Sequence, residues 1–166
     1  MLQRSQRPGF IGHILAISGG VIALLAFLAL PYISLGIFGS YTAIQLANGV
    51  YGSSTPSLWL ELLVALAIIG LAGFALYKQS NTAPFSIVIM VLSGIALIYL
   101  GFNYLQQAAQ KDLFGNSAAS YYAAGFWFFL IGMAAALAGG IWQLSTANQA
   151  RTSKQTEWPP QPPYSS

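Results

Sequence analysis

The sequence predicts an all-α membrane protein: a four-transmembrane-helix antiparallel bundle with a small β-like or irregular outer segment between helices one and two. The first observation is composition, since the 166 residues are 56% hydrophobic and 5% charged, whereas soluble domains carry about 25% charge. The second is four long apolar segments, each near the ~20 residues that cross a bilayer core as a helix. Lipid leaves backbone N–H and C=O groups without partners, so these spans are expected to be helical.

The four spans are expected at about residues 10–32, 58–77, 84–105 and 123–144. They form one transmembrane domain, 10–144, preceded by a short cytoplasmic N-terminus, 1–9. A cleavable signal peptide is the alternative for span one, but its apolar run is longer than a typical h-region of about 7–15 residues. The chain ends "WPPQPPYSS". This proline density favours polyproline II, so 145–166 is expected to be a disordered cytoplasmic tail. A ligand for a proline-recognising domain is the alternative.

Basic residues predict the orientation. If the spans alternate in direction, one base falls outside, Lys111, and the others fall on the opposite side: Arg4, Arg7, Lys78, Arg151 and Lys154. The positive-inside rule then places both termini in the cytoplasm. Aromatic rings prefer the headgroup level, and Tyr32, Trp59 and Trp127 are expected to mark the outer interface.

The first outer segment, residues 33–57, mixes β-branched and aromatic residues with Gly-Ser and Asn-Gly turn signals. We expect a β-hairpin with strands near 33–38 and 41–46, followed by a turn at 48–49. A short amphipathic helix near 41–48 is the alternative. The second outer segment, 106–120, begins with Gln and Ala, which favours a continuation of the third helix beyond the membrane.

Small residues are expected to set how the helices pack, because lipid removes the hydrophobic drive between them. Two spans carry such residues at a spacing of four: Gly12, Ala16 and Gly20 in span one, and Gly132, Ala136 and Gly140 in span four. Packing within the monomer is the first interpretation, because four spans must bury their own faces. Homo-oligomerisation is the alternative.

Ionisable residues inside spans are candidates for function. Glu61 lies about 5 Å below the outer edge of span two at ~1.5 Å per residue, and His13 lies near the inner end of span one. Lys111 is the nearest expected partner of Glu61. For Glu61 we weigh a buried carboxylate that binds a cation or orders the outer loops against an interfacial one reached by water. For His13 we expect a neutral imidazole near the inner headgroups.

Several classes of function are disfavoured by the residues present. There is no cysteine and a single histidine, which excludes thiolate chemistry and sites with two histidine ligands. No P-loop or Rossmann glycine pattern occurs, and no cluster of bases suggests nucleic acid. We therefore expect no catalytic residues, no metal and no cofactor.

Two stretches carry a resemblance: "LALPYISLGIFGSYTAIQLANG", 28–49, and "YYAAGFWFFLIGMAAALAGGIW", 121–142. They resemble the end of span one and the final span of small bacterial four-span membrane proteins. The resemblance implies the fold, a bacterial cytoplasmic membrane and no particular activity. Claudin-like proteins share the four spans and a β-rich first outer segment, but their cysteine-bearing signature is missing here.

The expected function is that of a non-enzymatic integral membrane protein, a scaffold or accessory subunit of a membrane complex. The alternative is an oligomeric transporter or channel subunit with Glu61 in an outer vestibule. Expected partners are the lipid bilayer and other membrane-protein subunits or a second copy of the chain.

Overall fold

A computed structural model describes residues 10–50, 55–78, 83–111 and 115–156. Four helices in this part of the chain are long and apolar enough to cross a membrane: α1 (Phe10–Ala29), α3 (Ser57–Lys78), α4 (Ala83–Ala109) and α5 (Ala124–Thr156). Between α1 and α3 lie four short elements: β1 (Pro31–Ser34), a 3₁₀ turn (Gly36–Phe38), β2 (Ser40–Thr42) and α2 (Ala43–Ala47). The predicted fold class is confirmed: a four-helix, all-α chain with a small antiparallel sheet between its first two long helices.

Helices α1 and α5 form the tightest contact of the bundle, through glycines spaced seven residues apart. A Cβ added to Gly19 would lie 2.5 Å from the carbonyl oxygen of Gly132, and one added to Gly139 would lie 2.6 Å from that of Gly12. The two backbones therefore touch, which a larger side chain would prevent. Ala16 and Ala136 are fully buried in the same interface.

The small residues predicted at a spacing of four do not all share one face. A Cβ on Gly20 would lie 2.7 Å from Cγ1 of Ile69 in α3, and one on Gly140 would lie 3.3 Å from the Ser86 carbonyl oxygen in α4. Eight residues separate Gly12 from Gly20, which turns Gly20 by about 80° on a helix of 3.6 residues per turn. The spacing-four grouping is therefore corrected: α3 packs against α1, α4 packs against α5, and α3 and α4 also contact each other.

The outer segment combines both structures expected for it. β1 and β2 pair antiparallel, with Ile33 opposite Tyr41. The strands are shorter than the predicted 33–38 and 41–46, because the chain turns between Gly36 and Gly39, whose φ angles are 60° and 98°. α2 follows at once because Thr42 and Gln45 form a reciprocal capping box.

α5 extends further than the sequence suggested. The expected disordered tail began at residue 145, but the helix continues to Thr156. The hydroxyls of Ser145 and Thr146 donate to the Trp142 carbonyl oxygen at 2.9 and 3.0 Å, so these polar residues are accommodated within the helix. The rest of the tail, 157–166, and the N-terminus, 1–9, lie outside the described residues.

Candidate functional site

Glu61 is the only acidic side chain that the structure describes in a buried position, and it contacts the outer segment. It lies in α3 and is 6% exposed. The Tyr32 hydroxyl donates to its carboxylate, at 3.1 Å from Oε2 and 3.4 Å from Oε1. Tyr32 belongs to β1 and is itself 4% exposed. Its expected position as an interfacial ring is corrected: it points into the bundle, and it connects the outer segment to α3.

Aromatic rings enclose the Tyr32 side chain. Its ring meets Tyr122 and Phe126 edge-on, with centroids 6.2 and 5.6 Å away. Tyr122 stacks on Phe126 at 4.1 Å, and Tyr104 of α4 stacks on the same ring at 6.0 Å. These geometries are favourable for aromatic pairs. The outer ends of α3, α4 and α5 are thus joined around one residue of β1.

The backbone of β1 lies directly against the start of α5. The Ala123 N–H donates to the Tyr32 carbonyl oxygen at 3.0 Å. A Cβ added to Gly125 would lie 2.8 Å from the Pro31 carbonyl oxygen, so only glycine permits this approach. The position of the Tyr32 hydroxyl is therefore determined by rigid neighbours on several sides.

The two tyrosines of this cluster that lie outside the helices are held neutral. Burial raises the pKa of Tyr32 well above its ordinary value, and the nearby charge of Glu61 raises that pKa further. Burial, followed by the charges of Glu61 and Tyr99, likewise raises the pKa of Tyr122. Tyr32 consequently remains a phenol, which can donate its proton to a carboxylate.

Lys111 does not take the place expected for it. It lies after α4, is exposed, and pairs through its backbone with Ser117. Among the described residues no salt bridge joins it to Glu61, whose carboxylate instead accepts from Tyr32. The expected Glu61–Lys111 pair is therefore wrong. The hydrogen bond from Tyr32 connects Glu61 to the outer segment instead. Glu61 is also more buried than we expect for an interfacial carboxylate that water reaches.

A second buried polar group lies at the end of the bundle opposite to the hairpin. The Ser86 hydroxyl donates to Oε1 of Gln143 at 2.6 Å, and Gln143 is 1% exposed. A Cβ on Gly12 would lie 2.6 Å from Cγ of Gln143, so the glycine makes room for this side chain. His13 is 5% exposed, and among the described residues no group forms a hydrogen bond with its Nδ1. Its side chain is therefore packed between helices near one end of the bundle.

The sequence reasoning missed Tyr32 and Gln143. A signal existed for Gln143, because it is an amide inside an apolar span and a glycine, Gly12, occurs at the matching depth of the first span. For Tyr32 the residue type indicated an interface, and only the hairpin geometry turns it inward.

Glu61 and His13 lie at opposite ends of the bundle. α1 continues for 16 residues beyond His13, to Ala29, shortly before Tyr32, which corresponds to about 24 Å at 1.5 Å per residue. The hydroxyls between them bond to their own helices: Ser93 donates to the Ile89 carbonyl oxygen at 2.7 Å and Ser18 to that of Ile14 at 2.8 Å. These two hydroxyls do not connect the two ends.

An apolar pocket of about 260 Å³ opens beside the outer hairpin. Its walls come from β1, β2, α2, the end of α4 and the turn before α5, and include Ile33, Leu35, Tyr41, Leu46, Gln107 and Ala118. Among the described residues no group of three or more His, Cys, Asp or Glu side chains is placed to hold a metal ion.

No protein family, curated protein sequence or solved structure matches this chain.

Proposed function

We propose that this chain is a non-enzymatic scaffold or accessory subunit of a membrane complex, placed in a bacterial cytoplasmic membrane with both termini in the cytoplasm. The observation that carries the proposal is the buried contact between Glu61 and Tyr32. It assigns the one buried acid of the described chain to holding the outer segment in place.

Burying a carboxylate in a membrane span is costly, so such residues usually pair with another polar group and mark a functional site. Here its partner is a phenol of β1, and the surrounding rings restrict that phenol. The outer segment is therefore presented at a defined angle to the bundle. A rigid outer surface on a membrane anchor suits a protein that contacts another protein.

The transporter alternative requires Glu61 to face an open vestibule. Its 6% exposure and its bond to Tyr32 favour a structural role. The close approach of the α1 and α5 backbones at Gly19 and Gly132 leaves no room for a solute between those two helices. Both observations support the scaffold over the transporter.

Purification of the full-length chain from its native membrane tests the proposal. We expect a larger membrane protein to co-purify in a fixed ratio, and Glu61→Ala to lower its recovery because it removes the acceptor of the Tyr32 hydroxyl. Leu60→Ala is the matched control, since Leu60 is the preceding residue and is 63% exposed toward lipid. Ion flux in liposomes that depends on Glu61, with folding unchanged, would overturn the proposal in favour of the transporter.

A further inference from the structure

The turn of the outer hairpin, residues 36–39, exposes two apolar side chains on a rigid support; we refer to it as the tip. Ile37 is 95% exposed and Phe38 is 71% exposed. The Leu35 N–H donates to the Gly39 carbonyl oxygen at 2.9 Å, and the Tyr41 hydroxyl donates to that of Phe38 at 3.0 Å. The tip is thus held by its own hydrogen bonds, so little conformational freedom is lost when it binds.

The pocket beside the tip reaches one turn of α4 beyond the aromatic residues Tyr104 and Trp127. Tyr104 packs against Trp127, which is half-exposed at the start of α5, with ring centroids 5.5 Å apart. Gln107 follows Tyr104 by three residues, about 4.5 Å further out along α4. Leu35 lines the same pocket as Gln107, and the tip follows Leu35 in the chain. Two exposed apolar side chains on this rigid turn indicate an interaction surface.

The outer pocket lies beside the tip and has the matching chemistry. Leu35 and Tyr41, which flank the tip, also line the pocket. Its volume is about 260 Å³, whereas an apolar cavity of about 150 Å³ holds a benzene ring. The pocket therefore has room for the benzyl side chain of Phe38, and none of the described residues that line it is charged.

We propose that two copies of this chain pair at their outer faces, with Phe38 of each copy entering the outer pocket of the other. Copies inserted by the same rule share one orientation in the bilayer, so their tips and pockets lie at the same height. A two-fold axis along the membrane normal then satisfies both contacts at once and closes the assembly as a dimer. The pairing goes beyond the accessory role and holds with or without a larger partner.

Disulfide trapping between two differently tagged copies tests the pairing in native membranes. The chain has no cysteine, so one copy carries Phe38→Cys and the other carries Ala118→Cys, from the pocket wall. We expect mild oxidation to yield a mixed-tag dimer, because a disulfide requires Cα atoms about 4.4–6.8 Å apart. A copy that carries Ile98→Cys in place of Ala118→Cys is the control for random collision, since Ile98 is 75% exposed on the lipid side of α4. Trapping no greater than this control overturns the proposal.

The oligomeric state in lipid nanodiscs or mild detergent, measured by light scattering, gives an independent result. We expect the dimer dissociation constant to rise more than about tenfold for Phe38→Asp, and likewise for Ala118→Trp, which fills the pocket. Phe38→Leu is expected to retain the dimer. Unchanged thermal unfolding and circular dichroism confirm that each variant is folded. A monomeric wild type, or a dimer indifferent to Phe38→Asp, contradicts the pairing.

Substitutions of Phe38 would also detect two other binding partners of the tip, which are lipid and a larger protein. Quenching of a Phe38→Trp reporter by brominated lipid would place the tip in the outer leaflet and overturn the proposal. Loss of a larger co-purifying protein in Phe38→Asp, without any trapping between copies, would identify that protein as the occupant and also overturn it.

Discussion

Glu61 and Tyr32 depend on each other at the scale of single residues. Tyr32→Phe keeps the ring packing but leaves the buried Glu61 carboxylate without its donor. A buried group that loses its partner costs about 1–3 kcal/mol. We therefore expect Tyr32→Phe to lower the free energy of unfolding by that amount and to speed proteolysis of the outer segment. Unfolding in detergent and limited proteolysis measure the two effects.

A double-mutant cycle separates this bond from general packing. Glu61→Gln keeps an acceptor in place, so we expect a smaller loss than for Tyr32→Phe, and coupling between the two substitutions. Tyr77→Phe is the control, because Tyr77 is 85% exposed and its substitution should leave the free energy of unfolding unchanged. Strict additivity of Glu61→Gln and Tyr32→Phe would contradict the proposed bond.

The raised pKa of Tyr32 gives a pH dependence. Burial, with the charge of Glu61, keeps this phenol protonated in the folded chain, while the unfolded chain ionises it near pH 10. Below that pH Tyr32 contributes no pH dependence. Above it the unfolded state binds fewer protons, so the free energy of unfolding falls as pH rises. We expect this decline to be weaker in Tyr32→Phe.

Ultraviolet absorbance of phenolate checks the same point directly. The folded wild type and folded Tyr32→Phe should gain the same absorbance around pH 10, because Tyr32 does not ionise there. After unfolding, the wild type should gain one tyrosine's worth more. A full additional signal in the folded state would show that Tyr32 is accessible.

Residue type alone predicted part of this site. The sequence located Glu61 near one end of its span, and the structure buries it there in the first turns of α3. It selected Lys111 as the partner because opposite charges attract. It could not show that β1 turns Tyr32 inward, since that depends on the backbone of Gly125 and Pro31 meeting.

At the scale of elements, glycines separate the packed faces from the lipid faces. Gly132→Leu forces a side chain into a place where a Cβ would already lie 2.6 Å from the Gly19 carbonyl oxygen. We expect it to disrupt the α1–α5 contact and to lower the free energy of unfolding by about 1–3 kcal/mol or more. Gly94→Leu is the matched control on α4, because a Cβ there meets no atom within 4 Å.

Thermal unfolding together with oligomeric state decides this prediction. A large loss of stability in Gly132→Leu and little change in Gly94→Leu would support packing within one chain. An intact monomer that loses only self-association in Gly132→Leu would instead assign this face to contacts between copies.

The start of α2 offers a local prediction. Thr42 accepts from the Gln45 N–H, and the Gln45 side chain accepts from the Thr42 N–H. Removing such a cap costs about 0.5–2 kcal/mol, so Thr42→Ala should unfold this short helix more often. Hydrogen exchange of the Leu46 and Ala47 amides measures the change, and Ser40→Ala, an exposed strand residue, serves as control. Unchanged exchange would show that tertiary contacts hold α2 without the cap.

The sequence contained a signal for the α1–α5 contact and another for the start of α2. Only part of the first signal was used in the prediction. The pattern of four selected Gly20 and Gly140, whereas the glycines at the contact also include Gly19 and Gly139, each seven residues from Gly12 or Gly132. In an antiparallel pair whose contact continues over several turns, a repeat of seven keeps residues on one seam. The capping box "TAIQ" was also present in the sequence.

At the scale of the whole molecule, composition sufficed for the four spans but not for their arrangement. Apolar length is a property of each segment alone, and it predicted every span. Which helices are neighbours depends on how the faces of two helices fit each other. Because every span contains small residues, their presence does not select the neighbours. The end of α5 was missed because the whole polar tail from residue 145 was predicted to be disordered. Its first part, "STANQARTSKQT", is polar, but few of these residues oppose a helix.

Orientation is the remaining property of the whole molecule, and the bases predict it. Lys78 is the last residue of α3, at the end opposite to Lys111, so the positive-inside rule predicts that the hairpin lies outside and the end of α5 in the cytoplasm. In the cysteine-free chain, we expect a membrane-impermeant maleimide to label Ser34→Cys in intact cells and Thr152→Cys only after permeabilisation, because both positions are exposed on opposite sides. Permeabilised cells provide the control for reactivity. The opposite pattern would invert the topology and place the tip and its pocket in the cytoplasm, where pairing between copies would have to be tested anew.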